Sequence, residues 1–160
     1  NIRTEPGASN SKITTIMQEI TCSGALFYSL DSQRFLFLHR TRGKHSNVWG
    51  IAGGNLEKLE TAWQGAEREI REEIGEVDIL KIIPLEKFLA RDNDFSFHTY
   101  LCIIEKEFIP DLNLEHDGYA WVAYKKWPRP LHYGLKNTLQ KKHNLSKIET
   151  VFHLGELLNK

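Results

Sequence analysis
Apolar residues along this chain fall into two patterns, dense runs and spaced stripes, and the two predict different elements. "EITCSGALFYSL" (residues 19–30) and "QRFLFLHRTR" (33–42) are dense in β-branched and aromatic residues and meet at the polar "DSQ", which predicts two paired strands. "GKHSNVWGIAGGN" (43–55) is punctuated by glycine and predicts a loop. "VDILKIIPLEKFLA" predicts a strand that runs on past Pro84, "FSFHTYLCIIEKEF" a central strand and "GYAWVAYKKW" a shorter one. Leu131, Leu135 and Leu139 stand four apart in "LHYGLKNTLQKKH" and predict a helix, whereas the tail "IETVFHLGELLNK" has no decisive period. Strands first, a helix among them and another near the end predict an α+β sandwich around a mixed sheet.

The clearest stripe lies between Thr61 and Gly75. Ala62, Trp63, Ala66, Ile70 and Ile74 recur at spacings of three and four, one face of a helix that should meet the sheet. Thr61 suits the N-cap and Gly75 the C-terminal stop. At roughly 100° per residue, Glu69, Glu72 and Glu73 converge on the neighbouring sector, in the last two turns. Like charges at i, i+4 cost about 0.2–0.5 kcal/mol per pair, and the helix dipole adds to that cost. A solvated acidic face relieved by Arg68 and Arg71 is one explanation. A cation is the other: hard divalent ions such as magnesium bind a few carboxylates plus substrate phosphates. Gly53 and Gly54 lie just upstream, where bare backbone can approach a metal or phosphate closely.

Composition narrows the alternatives. The 160 residues are 41% hydrophobic and 26% charged, as expected of one globular domain, here 13–160, behind a polar N-terminal arm at 1–12. Lys plus Arg and Asp plus Glu are each 21, so the net charge is zero and no broad basic field argues for nucleic acid or an anionic membrane. No apolar run approaches the roughly 18 residues of a membrane span. Cys22 and Cys102 sit inside apolar runs, not at metal-ligand spacing, and read as buried thiols. The expectation is a soluble, cytoplasmic protein.

The stretch from Gly54 to Gly75 resembles the signature of the Nudix hydrolases: a glycine, five residues, a glutamate, seven residues, then arginine, glutamate, an aliphatic, any residue, two glutamates, any residue and a glycine. Here these are Gly54, Glu60, Arg68, Glu69, Ile70, Glu72, Glu73 and Gly75, and the one departure is Glu76 where an aliphatic is usual. The resemblance implies the family's α/β/α sandwich with a mixed β-sheet. It also implies a divalent metal, Mg2+ or Mn2+, on Glu69, Glu72 and Glu73, with the Gly53 carbonyl as a further ligand. Glu60 and Arg68 are implied to hold the loop against the helix. Glu76 reads as a solvent-facing residue. Ala52 stands where many relatives carry proline.

The reaction so implied is hydrolysis of a pyrophosphate linkage in a nucleoside diphosphate derivative, by water activated at the metal. The general base is Glu69 or Glu115, a carboxylate shortly before the Trp121–Val122 strand; His116 beside it has the chemistry to titrate near neutrality. Arg40, Arg42 and Lys44 follow a strand and precede the glycine loop, so they are candidates for substrate phosphates. Phe97 is the aromatic candidate for the base, with Phe95, Tyr100 and Trp121 as further candidates for the same stacking surface. Trp49 and Trp63 read as packing residues, and Trp127 as an anchor for the following turn. The alternative function is a non-catalytic Nudix-like nucleotide-binding or regulatory module. A small-molecule nucleotide is the expected partner, and oligomeric state is not legible.

Overall fold
A computed structural model describes residues 19–43, 45–92 and 94–158. Seven strands and three helices occur among them: β1 (Ile20–Ser29), β2 (Arg34–Arg40), β3 (Trp49–Gly50), β4 (Ala52–Asn55), α1 (Ala62–Ile74), β5 (Lys81–Leu89), β6 (Phe95–Ile104), β7 (His116–Ala123), α2 (Tyr133–Gln140) and α3 (Lys142–Leu158). The sheet is mixed. β1 lies parallel to β6 along its whole length, and every other pairing between these strands is antiparallel.

The opposite edge of β1 is divided. Cys22 to Ala25 pair with β4, while Tyr28 near the other end pairs with Phe35 of β2. β2 in turn carries β7 and β3. This fork sets the glycine segment Gly53–Gly54 beside the first half of β1, where α1 also packs.

Burial on both faces explains the dense apolar runs. On one face Ile70 and Ile74 of α1 pack with Ala25, Phe27, Leu36, Leu38, Ala52, Cys102 and Ile104. On the other, Leu135 and Leu139 of α2 and Ile148 and Val151 of α3 pack with Leu26, Tyr28, Phe35, Phe37, Leu85 and Leu101. Helices on both faces make the expected α/β/α sandwich. Cys22 and Cys102 are free and buried, as their contexts predict.

Two local expectations are corrected, and one segment left open is placed. The segment read as a loop over 43–55 holds β3 and β4, whose pairing comes from β2 and β1 and not from their own glycine-rich sequence. The helix predicted over 131–143 is shorter and breaks at Lys141, which is extended at ψ 125°, before a new helix starts at Lys142. The described part of the tail without a decisive period, residues 148–158, belongs to the second half of that helix. The strand does run past Pro84, with a register shift before Glu86.

Glu86 fastens this edge strand to both helices. Its carboxylate accepts from Thr138 Oγ1 (2.9 Å), Lys141 Nζ (2.8 Å) and the buried Asn144 Nδ2 (2.7 Å). Burial alone would raise its pKa, but the bonds from Lys141, Asn144 and Thr138 outweigh it and hold the carboxyl below its ordinary range. The stability so contributed is complete above the ordinary carboxylate pKa and is lost as pH falls through the lowered one. Glu86→Ala should therefore cost about 2–3 kcal/mol at neutral pH, since Asn144 and Thr138 lose a buried partner. Denaturant melts at pH 7 and pH 3 check this: the gap between variant and wild type should shrink at pH 3.

Candidate active site
α1 is closed at both ends as its sequence predicts. Thr61 Oγ1 accepts from Gln64 N (3.1 Å) while Gln64 Oε1 accepts from Thr61 N (2.9 Å), and Gly75 terminates the helix at φ 93°. A helix C-terminus leaves carbonyls without intrahelical donors, and the segment before β7 supplies them. Asp111 N donates to Ile74 O (2.9 Å) and Asn113 N to Glu73 O (3.3 Å). Asn113 Oδ1 accepts from Glu115 N (3.1 Å), and Thr41 N beyond β2 donates to Glu115 O (2.9 Å). Glu115 and His116 are thus held against the acidic end of α1 by backbone bonds.

The carboxylates of the helix differ sharply in environment. Glu72 is exposed, Glu69 is mostly covered, and Glu73 is 2% exposed, with Oε2 accepting from Gly53 N at 2.7 Å. Burial first, then a hydrogen bond with Glu115 and the charge on Glu69, push Glu73 up to about 9 against the opposing Gly53 amide. Glu69 is also raised, by burial and the charges of Glu72 and Glu115, with Arg68 acting against the shift.

Arg68 is the counter-charge. Its Nε and Nη2 donate to the two oxygens of Glu60 (2.9 and 3.0 Å), Nη2 also to Asn55 O (3.0 Å), and Nη1 to Glu69 (3.0 Å) and Glu72 (3.2 Å). Glu60 also accepts from Glu57 N (2.6 Å). One guanidinium therefore ties the turn before α1 and the end of β4 to the helix. Glu76 is exposed, 3.7 Å from Arg71 Nε.

The glycines allow the approach. A Cβ on Gly53 would overlap the Ser23 carbonyl oxygen and lie 2.7 Å from Gly24 Cα, both backbone. A Cβ on Gly54 would instead lie 2.6 Å from Glu69 Oε1, a side chain that can move. Two variants should separate these roles. Gly53→Ala should cost about 3 kcal/mol in a denaturant melt, because overpacked backbone cannot yield. Gly54→Ala should melt normally and lose activity by about 10²-fold, the scale expected from misplacing a site group by about 1 Å.

The remaining candidates are placed as follows. A ligand atom from each of Glu73, Glu115 and His116 lies within 4.8 Å of the others. Burial, then the charge of Arg40, lower the pKa of His116, with Glu115 opposing. Arg40 stands across from His116 in the β2–β7 register, its Nε buried and without a hydrogen-bond partner. Arg42 is exposed beyond β2, and Lys44 lies outside the described residues. Phe97 is half-buried on β6 and closes over Gly24, next to Ile51. Trp63 packs edge-on against Tyr100 with ring centroids 5.2 Å apart, and Trp127 packs among Phe35, Phe37 and Tyr124. The relief of the acidic face by Arg68 was anticipated and is seen on Glu69 and Glu72, whereas the burial of Glu73 was not foreseen. The position of Glu73, three residues after Ile70 and one before Ile74, was the available sign of that burial.

The family model described as the NUDIX domain matches residues 22–141. The chain belongs to the Nudix family. It is 31% identical over 118 residues to a dihydroneopterin triphosphate diphosphatase from Haemophilus influenzae, covering 63% of this chain and 72% of that protein. A MutT NUDIX hydrolase from Burkholderia pseudomallei shares the fold with TM-score 0.61 at 22% identity, over 78% of this chain and 98% of that one. A Nudix hydrolase from M. smegmatis superposes with TM-score 0.64 at 17% identity, over 84% and 87% of the two chains. The dihydroneopterin triphosphate pyrophosphohydrolase of E. coli does so at 0.53 and 21% identity, over 81% and 92%. Family and diphosphatase relative make this chain a Nudix pyrophosphohydrolase. No described helix is long and apolar enough to cross a membrane.

Proposed function
We propose that this Nudix hydrolase cleaves the pyrophosphate linkage of a nucleoside triphosphate or a related nucleoside diphosphate derivative, using Mg2+ or Mn2+. The observation that carries this reading is the convergence of Glu69, Glu72 and Glu73 from α1 with Glu115 from the β7 segment, over a strand stripped of side chains at Gly53 and Gly54. The donor set suits such an ion. A buried carboxyl that holds its proton to high pH, paired with a second carboxyl, is a site whose proton a divalent cation replaces.

Glu69, Glu72, Glu73 and Glu115 would hold the metal. When bound, such an ion neutralises phosphate charge and lowers the pKa of a coordinated water. Glu115 is exposed, and we assign it the proton from the attacking water; Glu69, the competing candidate, already accepts from Arg68. We assign Arg40, whose buried Nε has no hydrogen-bond partner, and Arg42, two residues further along the chain, to the substrate phosphates. Phe97 offers a ring face to the base. Arg68 and Glu60 fix the geometry without touching substrate. The two free, buried cysteines support a reducing compartment, and we propose the cytoplasm.

The relative acting on dihydroneopterin triphosphate supports a triphosphate substrate and places that compound beside the nucleotides in the test. Chromatography and phosphate assays on NTPs, dNTPs, dihydroneopterin triphosphate, dinucleoside polyphosphates, ADP-ribose and nucleotide sugars decide the class. A triphosphate should yield the monophosphate and pyrophosphate with Mg2+ or Mn2+ and nothing after chelation. Silence across that set, or equal turnover in chelator, would overturn the reading.

A further inference from the structure
His116 opens β7 one residue after Glu115, and it is 6% exposed. Its Nδ1 is sealed from solvent and has no hydrogen-bond partner. A buried polar atom left without a partner is costly to the fold. A ring nitrogen of the same residue lies within 4.8 Å of a carboxylate oxygen of Glu73 and one of Glu115. A cation bound at about 2.0–2.2 Å from each donor needs donors roughly 3–4.4 Å apart, so a small closure completes the set.

We infer that His116 is a metal ligand. With Glu73 and Glu115 it forms a nitrogen and two-oxygen pocket at the buried end of the carboxylate cluster, which turns the cation preference from magnesium toward first-row transition ions. This rests on the metal-dependent reading above and adds a donor to it. The positions are held in advance: Gly53 N holds Glu73, Thr41 N holds the Glu115 carbonyl, and pairing with Arg40 of β2 holds the His116 backbone. The chemistry follows from the donors. Magnesium keeps its waters and takes oxygen ligands, whereas imidazole nitrogen raises affinity along the series from Mn2+ through Co2+.

Pulsed electron paramagnetic resonance on wild-type protein, stripped with chelator and loaded with one equivalent of Mn2+, reads this directly. Modulation from a directly bound imidazole nitrogen is expected, and it should vanish in His116→Gln. Calorimetry should show Mn2+ and Co2+ binding weakened about 10–100-fold in that variant, with Mg2+ binding changed less than about three-fold. Bound Mn2+ without nitrogen modulation, no Mn2+ binding, or a nitrogen signal that survives in His116→Gln overturns the assignment. The wild-type spectrum answers even where the variant fails to fold. Turnover with Mg2+ is unaffected by failure of this inference, and the spectrum does not depend on turnover, so the two readings fail separately.

Discussion

Glu73→Gln should raise the stability of the metal-free protein at pH 8 while removing its response to metal. Burial, the Glu115 hydrogen bond and the Glu69 charge hold the Glu73 carboxyl at about 9, well above its ordinary 4.5. Below the ordinary value both folded and unfolded chains are protonated there, and the group costs nothing. As pH rises from that value toward the folded one, the unfolded chain ionises and the folded chain does not, so stability falls by about 1.4 kcal/mol per pH unit at most. Glutamine removes that dependence. Its Oε1 can still accept from Gly53 N, and its amide can donate to Glu115. A gain on the order of 3 kcal/mol at pH 8, or about 6–12 °C in a protein of this size, should shrink to nothing near pH 4.5. Thermal melts in chelator across that range check it. A variant less stable than wild type at pH 8 would mean that the Glu73 environment is not the source of strain. Added Mg2+ or Mn2+ should stabilise wild type by ligand linkage and leave Glu73→Gln where it was.

Glu72→Gln should have the larger effect on rate and almost none on folding. Its carboxylate is about half exposed, and its one described partner, Arg68 Nη1 at 3.2 Å, also holds Glu69. An exposed ion pair of this kind contributes within about 1 kcal/mol, so the melt should scarcely move. In the proposed site Glu72 would hold the cation that offsets developing phosphate charge, and loss of one such preorganised group lowers kcat by about 10²–10³-fold. Initial rates on the best substrate, with metal at saturation, are the measurement. A loss confined to KM would place Glu72 in substrate binding and not in stabilising the transition state.

Much of this site was legible because its residues are consecutive on one helix. The cap at Thr61, the stop at Gly75 and the apolar stripe follow from local spacing, and each has its counterpart in α1. What was not legible depends on distant partners. Gly53 and Gly54 have the least strand-like side chains available, and only the bare backbone of Ser23 and Gly24 opposite makes their segment a strand. α3 buries Asn144, Ile148, Val151 and Gly155 while exposing Leu154, Leu157 and Leu158, so its stripe is mixed on both sides. Glu115 and His116 meet α1 because the carbonyls of Glu73 and Ile74 need donors from residues almost forty positions away. Alternating sequence around His116 carries no sign of that docking.

Calorimetric titration of Mg2+ and Mn2+ into chelator-stripped wild-type and Glu72→Gln protein tests most directly the claim that these carboxylates form a cation site. Saturable binding to wild type, with proton release at pH 8 and affinity at least ten-fold weaker in the variant, is the predicted result. A wild-type protein that takes up neither ion, or a variant that binds both as tightly, would contradict it.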